Sequence, residues 1–269
     1  MDVSLQPSPR AVPPPADPAV STVEIPQYRR RAIFAIWAAA ALPMGVLAWL
    51  VAPALADRIA GEGNVPIAKA LLACLAIGLV WQFVLVLALV WREQGTLRWP
   101  VLRDALWLHS PRSPRSGRVG GRLWLVLIPL IVLFAAEGLL PDLFAAPASH
   151  DMMAFLESDA GQGFFAGNWL WLGLVAVQLL FNTVLGEELL FRGFLLPRMN
   201  GAFGRVDWLA NGVLFAAYHL HMPWRMLASL VDAFVLAYPT KRYRSAWIGI
   251  AVHSAQSVLI AALLLALVI

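Results

Sequence analysis

The sequence predicts an all-α fold, a polytopic transmembrane helical bundle of about seven spans, with an eighth, re-entrant segment as the alternative. Three observations predict it. Of 269 residues, 60% are hydrophobic and only 13% charged, with twelve Trp and a mean hydropathy of +0.72, outside the usual range of soluble domains. Five stretches are apolar over a membrane-spanning length. The arginines gather in alternate links between those stretches, as the positive-inside bias requires.

Residues 1–27 are rich in Pro and poor in apolar side chains, so a disordered cytoplasmic tail is expected. The cluster Arg29–Arg31 then leads into the first apolar stretch, Ile33 to Ala56. That run is longer than a signal-peptide core, which makes Ala54-Leu55-Ala56 part of an uncleaved anchor. The second stretch, Ala70 to Trp91, contains Cys74, the single cysteine, expected as a packed apolar thiol. From Thr96 to Arg118, Trp and Leu alternate with Arg. This predicts an interfacial helix and loop on anionic lipid rather than a nucleic-acid surface. Leu123 to Leu140 is the third stretch, and the link from Glu137 to Asp159 has five acids and neither Lys nor Arg. Glu137 and His150 are expected to be solvated there.

Gly163 to Leu185 and Ser245 to Ile269 complete the five. Between them, Trp208 to Leu220 and Trp224 to Tyr238 are short and carry polar residues, which suits helices enclosed within a bundle. Counting Arg10, all of the 20 basic residues except Arg58, Lys69 and Arg225 fall on one side of this seven-span path. The N-terminus is therefore expected to be cytoplasmic and the chain a multi-pass protein of a bacterial inner membrane. Trp91, Trp99, Trp169, Trp171, Trp208 and Trp224 fall near span ends, as aromatic-belt anchors do. No internal repeat is visible, which disfavours an inverted-repeat transporter.

At membrane depth the ionisable residues are Glu187, Glu188, Arg192, His219, Asp232 and His253. Each costs roughly 2.5–3.5 kcal/mol at a helix centre unless it finds a partner or water, so function is their default. If the fourth helix continues to about Leu196, Glu188 and Arg192 lie four residues apart on one face in the favourable order. Glu187 is turned about 100° away. Its i+4 neighbour is Phe191, so it has no intrahelical cation and is the carboxylate available to take a proton from water. At about 1.5 Å per residue, His253 lies about 13 Å beyond Arg244, His219 about 21 Å beyond Arg205 and Glu187 about 16 Å before Arg198. These depths put the three in one slab. Asn211, Phe215 and His219 form one helical stripe, and His253 faces the same way as Gln256 and Ser257. Such a set is sufficient for water-mediated attack on an amide, with Glu187 activating water and the histidines positioning it or stabilising the oxyanion. His221, two residues past His219, is expected to point elsewhere. Asp232 has no assigned role.

These residues, in this order, resemble the CAAX-processing and bacteriocin-processing family of intramembrane proteases. The family's EExxxR appears as Glu187-Glu188-Leu189-Leu190-Phe191-Arg192, continuing to Gly193, and its FxxxH as Phe215 to His219. A third motif, His followed four residues on by Asn, is met only by His253 and Ser257, with Gln256 alongside. The likeness covers about Gly163 to Leu264. It implies peptide-bond hydrolysis in or near the bilayer, with Glu187 as general base, His219 as its partner on water and His253 in the oxyanion pocket. Glu188, Arg192, Phe215, Gln256 and Ser257 support them, Ser257 or Gln256 donating in place of the family Asn. It divides the chain into the tail, accessory helices with a basic loop over 28–160, and a catalytic core over 161–269. The implied partners are a membrane-anchored peptide or protein substrate and the lipid bilayer, with no nucleic acid. No cofactor is expected, since EExxxR is unlike HExxH. The alternative is a zinc enzyme with Glu187, His219 and His253 as ligands. Outside this class stand a proton- or ion-coupled transporter, in which the same groups form a relay, and a non-catalytic immunity protein.

Overall fold

A computed structural model describes residues 23–269, in which every regular element is helical and a single isolated bridge joins Arg112 to Val119. In chain order the principal helices are α1 (Arg30–Ala56), α2 (Val65–Gln94), the short α3 (Trp99–Ala105), α4 (Gly121–Leu139), α5 (Trp169–Arg198), the shorter α6 (Asp207–Tyr218) and α7 (Tyr238–Tyr243), and α8 (Ala246–Val268). Five of them, α1, α2, α4, α5 and α8, are long and apolar enough to cross a membrane. The protein is a multi-pass helical membrane bundle.

Local sequence explains how these helices meet. Pro43 inside α1 has no N–H to offer the carbonyl of Ala39. Trp81 of α2 supplies it instead, its Nε1 donating to Ala39 O at 2.8 Å. Just beyond, α1 widens into a π turn over Leu47–Val51, a recognised cause of bending. Gly78 of α2 faces this region, and a Cβ there would lie 2.3 Å from Met44 Sδ, so the thioether of α1 occupies the place a side chain at 78 would take. Cys74 is buried beside Ala48 and Leu71. Two indoles of α1 reach across to the short pass, Trp37 Nε1 to Leu214 O and Trp49 Nε1 to Leu220 O, each at 2.7 Å.

At the arginine-rich end most arginines are exposed, but Arg198 is not. Its side chain is fully buried, with Nε and Nη2 on the Glu93 carboxylate at 2.6–3.1 Å and Nη1 on Phe194 O (2.8 Å) and Ala105 O (3.1 Å). A two-pronged carboxylate and two carbonyls satisfy a buried guanidinium where water is absent. Tyr28 donates to the same carboxylate, and burial and Glu93 push its hydroxyl well above the usual phenol range. Of the expected tail, residues 1–22 lie outside the described residues. Residues 23–27 are extended and packed: Gln27 bonds Pro197 O and Gly201 N at 2.9 Å, and Val23 lies against the core. The basic link beyond α3 folds over this end, with Ala246 N on Trp107 O (2.9 Å) and Ser245 Oγ on His109 O (2.5 Å).

The acidic end also departs from expectation. Glu137 is buried rather than solvated, 3.5 Å from Arg225, which also holds Asp142 at 3.0 Å. The cation comes from the loop after α6, remote in sequence. His150 stacks on Trp49 with ring centroids 4.2 Å apart, and its Nε2 meets Ala48 O at 3.1 Å. Short helices Met152–Glu157 and Asp159–Phe165 follow, capped by Asp151 and Ser158, and close the bundle with Phe155 and Phe165 against Leu264 and Val268.

The two short passes are the least regular part. After α6 the chain turns at His219–Met222 and returns through single helical turns, Ala228–Val231 and Ala233–Ala237, before α7. Gly212 of α6 touches this return strand of turns so closely that a Cβ would lie 2.2 Å from Ala233 Cβ.

Candidate active site

α5 carries both carboxylates, and it is widened on either side of them, with π turns over Phe181–Gly186 and Leu189–Leu195. Such turns often mark functional positions because they redirect side chains without ending a helix. The helix passes Pro197 and ends at Arg198, close to the expected stop. Glu188 and Arg192 face one another as their spacing predicts, Oε1 to Nη1 at 3.1 Å, both side chains 0% exposed.

Glu188 has a second partner. His253 Nδ1 lies 3.1 Å from the same Oε1, so the histidine grouped with Glu187 by depth sits on the neighbouring carboxylate. A carboxylate accepts here, so Nδ1 carries a hydrogen. Gly249, one turn before His253 on α8, makes this approach possible. A Cβ there would stand 2.4 Å from Glu188 Oε2 and 3.3 Å from Arg192 Cγ.

The Arg192 guanidinium lies over the Phe215 ring, 3.9 Å from its centroid, a cation–π contact that replaces hydration in an apolar interior. His219 meets the same ring edge-on at 4.9 Å and His253 at 6.2 Å. Phe215 is thus the hub on which α5, α6 and α8 converge. Asn211, on the same stripe, is spent on structure, its Nδ2 donating to Phe191 O at 2.8 Å.

His219 is the first residue past α6. Its φ of −70° and ψ of 42°, with Leu220 N on Tyr218 O at 2.6 Å, make a tight inverse γ-type turn. Its Nδ1 meets Phe215 O at 2.9 Å. A carbonyl can only accept, so Nδ1 bears the hydrogen and Nε2 offers a lone pair. The same turn overturns the expectation for His221. Helical spacing no longer applies after Tyr218, and the chain folds back so that His221 is buried with its ring 5.5 Å from that of His219 and 5.6 Å from Tyr218.

Glu187 is buried and has no cation on α5, as expected, yet it has a neighbour that the sequence did not announce. The Tyr218 hydroxyl faces it and accepts from Gln82 Nε2 of α2 at 2.6 Å. With that lone pair occupied, the phenolic hydrogen is free for the Glu187 carboxylate. Tyr218 stands inside the FxxxH motif, and Gln82 is the one polar residue midway along a thirty-residue apolar helix. Position inside the motif and polarity within an apolar helix are the sequence signals for these two residues, neither of which is charged at neutral pH.

On α8, Ser257 is buried one turn beyond His253, whereas Gln256 is exposed on the outer face. Gln256 is therefore removed from the site: sixty degrees of helical rotation separate it from His253 on the wrong side. Ser254 bonds Thr183 of α5 at 3.3 Å. Asp232 is buried, with Oδ1 lacking a hydrogen-bond partner among the described residues. As for a metal, Glu188 is occupied by Arg192 and His253, and His219 Nδ1 by a carbonyl. Among the described residues no three His, Cys, Asp or Glu side chains are grouped so as to hold an ion.

The site falls within a segment with known relatives. Residues 168–259 match the family model described as type II CAAX prenyl endopeptidase Rce1-like. No curated protein and no solved structure matches the chain. The matched segment runs from the start of α5 to the middle of α8, so each of the three motifs above lies in the part of the chain that is similar to this endopeptidase family.

Proposed function

We propose that this protein hydrolyses a peptide bond of a membrane-held substrate with Glu187 as general base, His219 as co-ligand of the attacking water, and His253 with Ser257 at the oxyanion. What supports this is a buried carboxylate with no salt-bridge partner among the described residues, faced by the Tyr218 hydroxyl, on the same convergence of α5, α6 and α8 as a buried histidine whose Nδ1 is held by Phe215 O, which leaves its Nε2 an acceptor. Water held by both gives one hydrogen to Glu187 and one to His219 Nε2, which leaves an oxygen lone pair for the carbonyl carbon. As the C–O bond forms, Glu187 takes the proton and the carbonyl oxygen becomes an anion. When the tetrahedral intermediate collapses, Glu187 returns that proton to the departing nitrogen. His253 donates to the oxyanion only when both ring nitrogens carry hydrogens, and the Glu188 carboxylate on Nδ1 is the counter-charge such a ring needs. Ser257 supplies a neutral donor beside it. Arg192 and Phe215 are positioning residues, one holding Glu188 and the other carrying Arg192 and His219.

The substrate class that suits an apolar, enclosed site is a peptide tail kept at the membrane by its own apolar residues or by a lipid, and hydrolysis requires no metal. Glu187→Gln should abolish turnover by about 10²–10⁴-fold and leave insertion unchanged. In the host membrane, mass spectrometry should then find a peptide that accumulates uncleaved, with His219→Ala behaving alike. An intact peptide profile in a correctly inserted Glu187→Gln protein refutes the protease. Loss of activity of the purified enzyme on chelation, restored by Zn²⁺, refutes the metal-free mechanism.

A further inference from the structure

At the arginine-rich end, remote from the carboxylates, an open cavity of about 390 Å³ lies between the start of α6 and α7. Arg205, Lys241 and Arg242 line it together with Asn200, Trp208 and Tyr238. Lys241 is already engaged: its ammonium holds the Asp207 carboxylate and the Arg205 carbonyl. This tie fixes α7 to α6 and sets the wall of the cavity. Arg205 and Arg242 have no carboxylate partner among the described residues and are exposed. Two guanidinium groups thus converge, unneutralised, on a space large enough for a phosphate ester.

What adjoins the cavity narrows the ligand. Trp208 is packed between Phe234 and Tyr238, ring centroids 5.4 and 5.2 Å apart, the kind of aromatic group that sits at headgroup level. From there an exposed apolar stripe runs away from the cations along the return segment, through Tyr238, Phe234 (60% exposed), Leu230 and Leu227. Val206 and Leu209 of α6 flank it. A cationic pocket that continues into an apolar lane matches an anionic phospholipid, phosphate at the arginines and acyl chain on the stripe. We infer that this cleft binds one anionic phospholipid, held by Arg205 and Arg242 and seated against Trp208 and Phe234. The lipid straps together the two irregular passes that carry the FxxxH motif and Asp232, and the inference stands whether or not the protein is a protease.

The test uses the full chain purified into phosphatidylcholine nanodiscs doped with phosphatidylglycerol. Native mass spectrometry counts retained lipids, and thermal unfolding is followed in parallel. Two arginines at membrane-surface strength correspond to roughly 30-fold in affinity, so Arg205→Ala with Arg242→Ala should lose one retained phosphatidylglycerol and the accompanying rise in Tm. The Lys/Lys pair should keep most of both. Arg29→Ala with Arg31→Ala, equal in charge lost and at the same end of the bundle, should change neither. Equal retention by the Ala/Ala variant overturns the inference, as does retention that falls equally in the Arg29/Arg31 control. If inorganic phosphate in undoped discs raises Tm as much as the lipid, the ligand is soluble phosphate and the lipid assignment is wrong. If the Ala/Ala variant leaves lipid retention intact but raises KM only for a peptide with a free C-terminal carboxylate, the cleft is a peptide subsite instead.

Discussion

Two adjacent carboxylates, Glu187 and Glu188, differ in everything that governs their chemistry. Glu188 is ion-paired with Arg192, bonded to His253 Nδ1 and overlaid by the bare backbone of Gly249, whereas Glu187 has no salt-bridge partner among the described residues and is faced by the Tyr218 hydroxyl. The distinction makes predictions at single atoms. Tyr218→Phe removes the hydroxyl from Glu187 and strands Gln82 Nε2 without its acceptor. Orphaning a buried donor costs about 1–3 kcal/mol, so the variant should fold with lowered Tm and reduced kcat. If Gln82→Met, which removes the stranded donor, restores Tm in the Phe background without restoring kcat, Tyr218 acts on Glu187; recovery of both by Gln82→Met leaves it a packing role only. On α8, Ser257→Ala should lower kcat about 10- to 100-fold with KM little changed, less than the 10²–10³ of a sole oxyanion donor because His253 remains. Gln256→Ala should leave kinetics unaltered, since its side chain is on the outer face, and a loss at Gln256 equal to that at Ser257 would contradict this assignment.

Whole elements are held in register by polar ties that cross between them. Arg198 is the strongest example, joining the end of α5 to α2 through Glu93, to α3 through the Ala105 carbonyl and to the entering chain through Tyr28. Removing one partner leaves an uncompensated buried charge, which typically costs about 3–5 kcal/mol. Glu93→Gln and Arg198→Met should therefore each lower unfolding stability by that order, while the double variant Glu93→Gln/Arg198→Met recovers part of the loss because neither charge is left alone. Additive single losses in a denaturation series would mean that the two side chains are not coupled. Apolar length foretold the existence and order of all five long helices, because lipid burial acts on composition and a local sum reveals it, but the fourth begins at Trp169 rather than Gly163 and runs past Leu185 to Arg198. The same logic misplaced Glu137 and His150, and did not foresee that Arg198 is buried. Each is compensated by a group more than fifty residues away or by a stacked ring, and no local sum contains such partners. Likewise the i,i+4 rule gave Glu188–Arg192 correctly, but could not foresee that α6 ends at Tyr218 and sends His221 back to the site.

Across the whole molecule, the segment that matches the family model does not contain its own support. Gln82, which sets the Tyr218 hydroxyl beside Glu187, comes from α2. The short pass α6 is held by Trp37 and Trp49 of α1, Gly186 of α5 rests on the Leu79 carbonyl of α2, and Phe134 of α4 stands edge-on to His253 at 5.5 Å. The N-terminal helices are thus walls of the site rather than additions to it, and a bundle deprived of them leaves α6 and its irregular return exposed to lipid with unpaired backbone groups, which the bilayer interior does not tolerate. Residues 160–269 expressed alone should therefore fail to give a folded, protease-resistant species in membranes. Co-expression of residues 1–159 as a separate chain should rescue both resistance and activity, because the ties between the halves are noncovalent and the break falls in the exposed first turn of the short helix Asp159–Phe165. Rescue should be lost when the separate chain carries Trp37→Ala with Gln82→Leu, since those two side chains reach α6 and the Tyr218 hydroxyl directly. A 160–269 fragment that is resistant and active by itself would show instead that α1 and α2 are dispensable to the site.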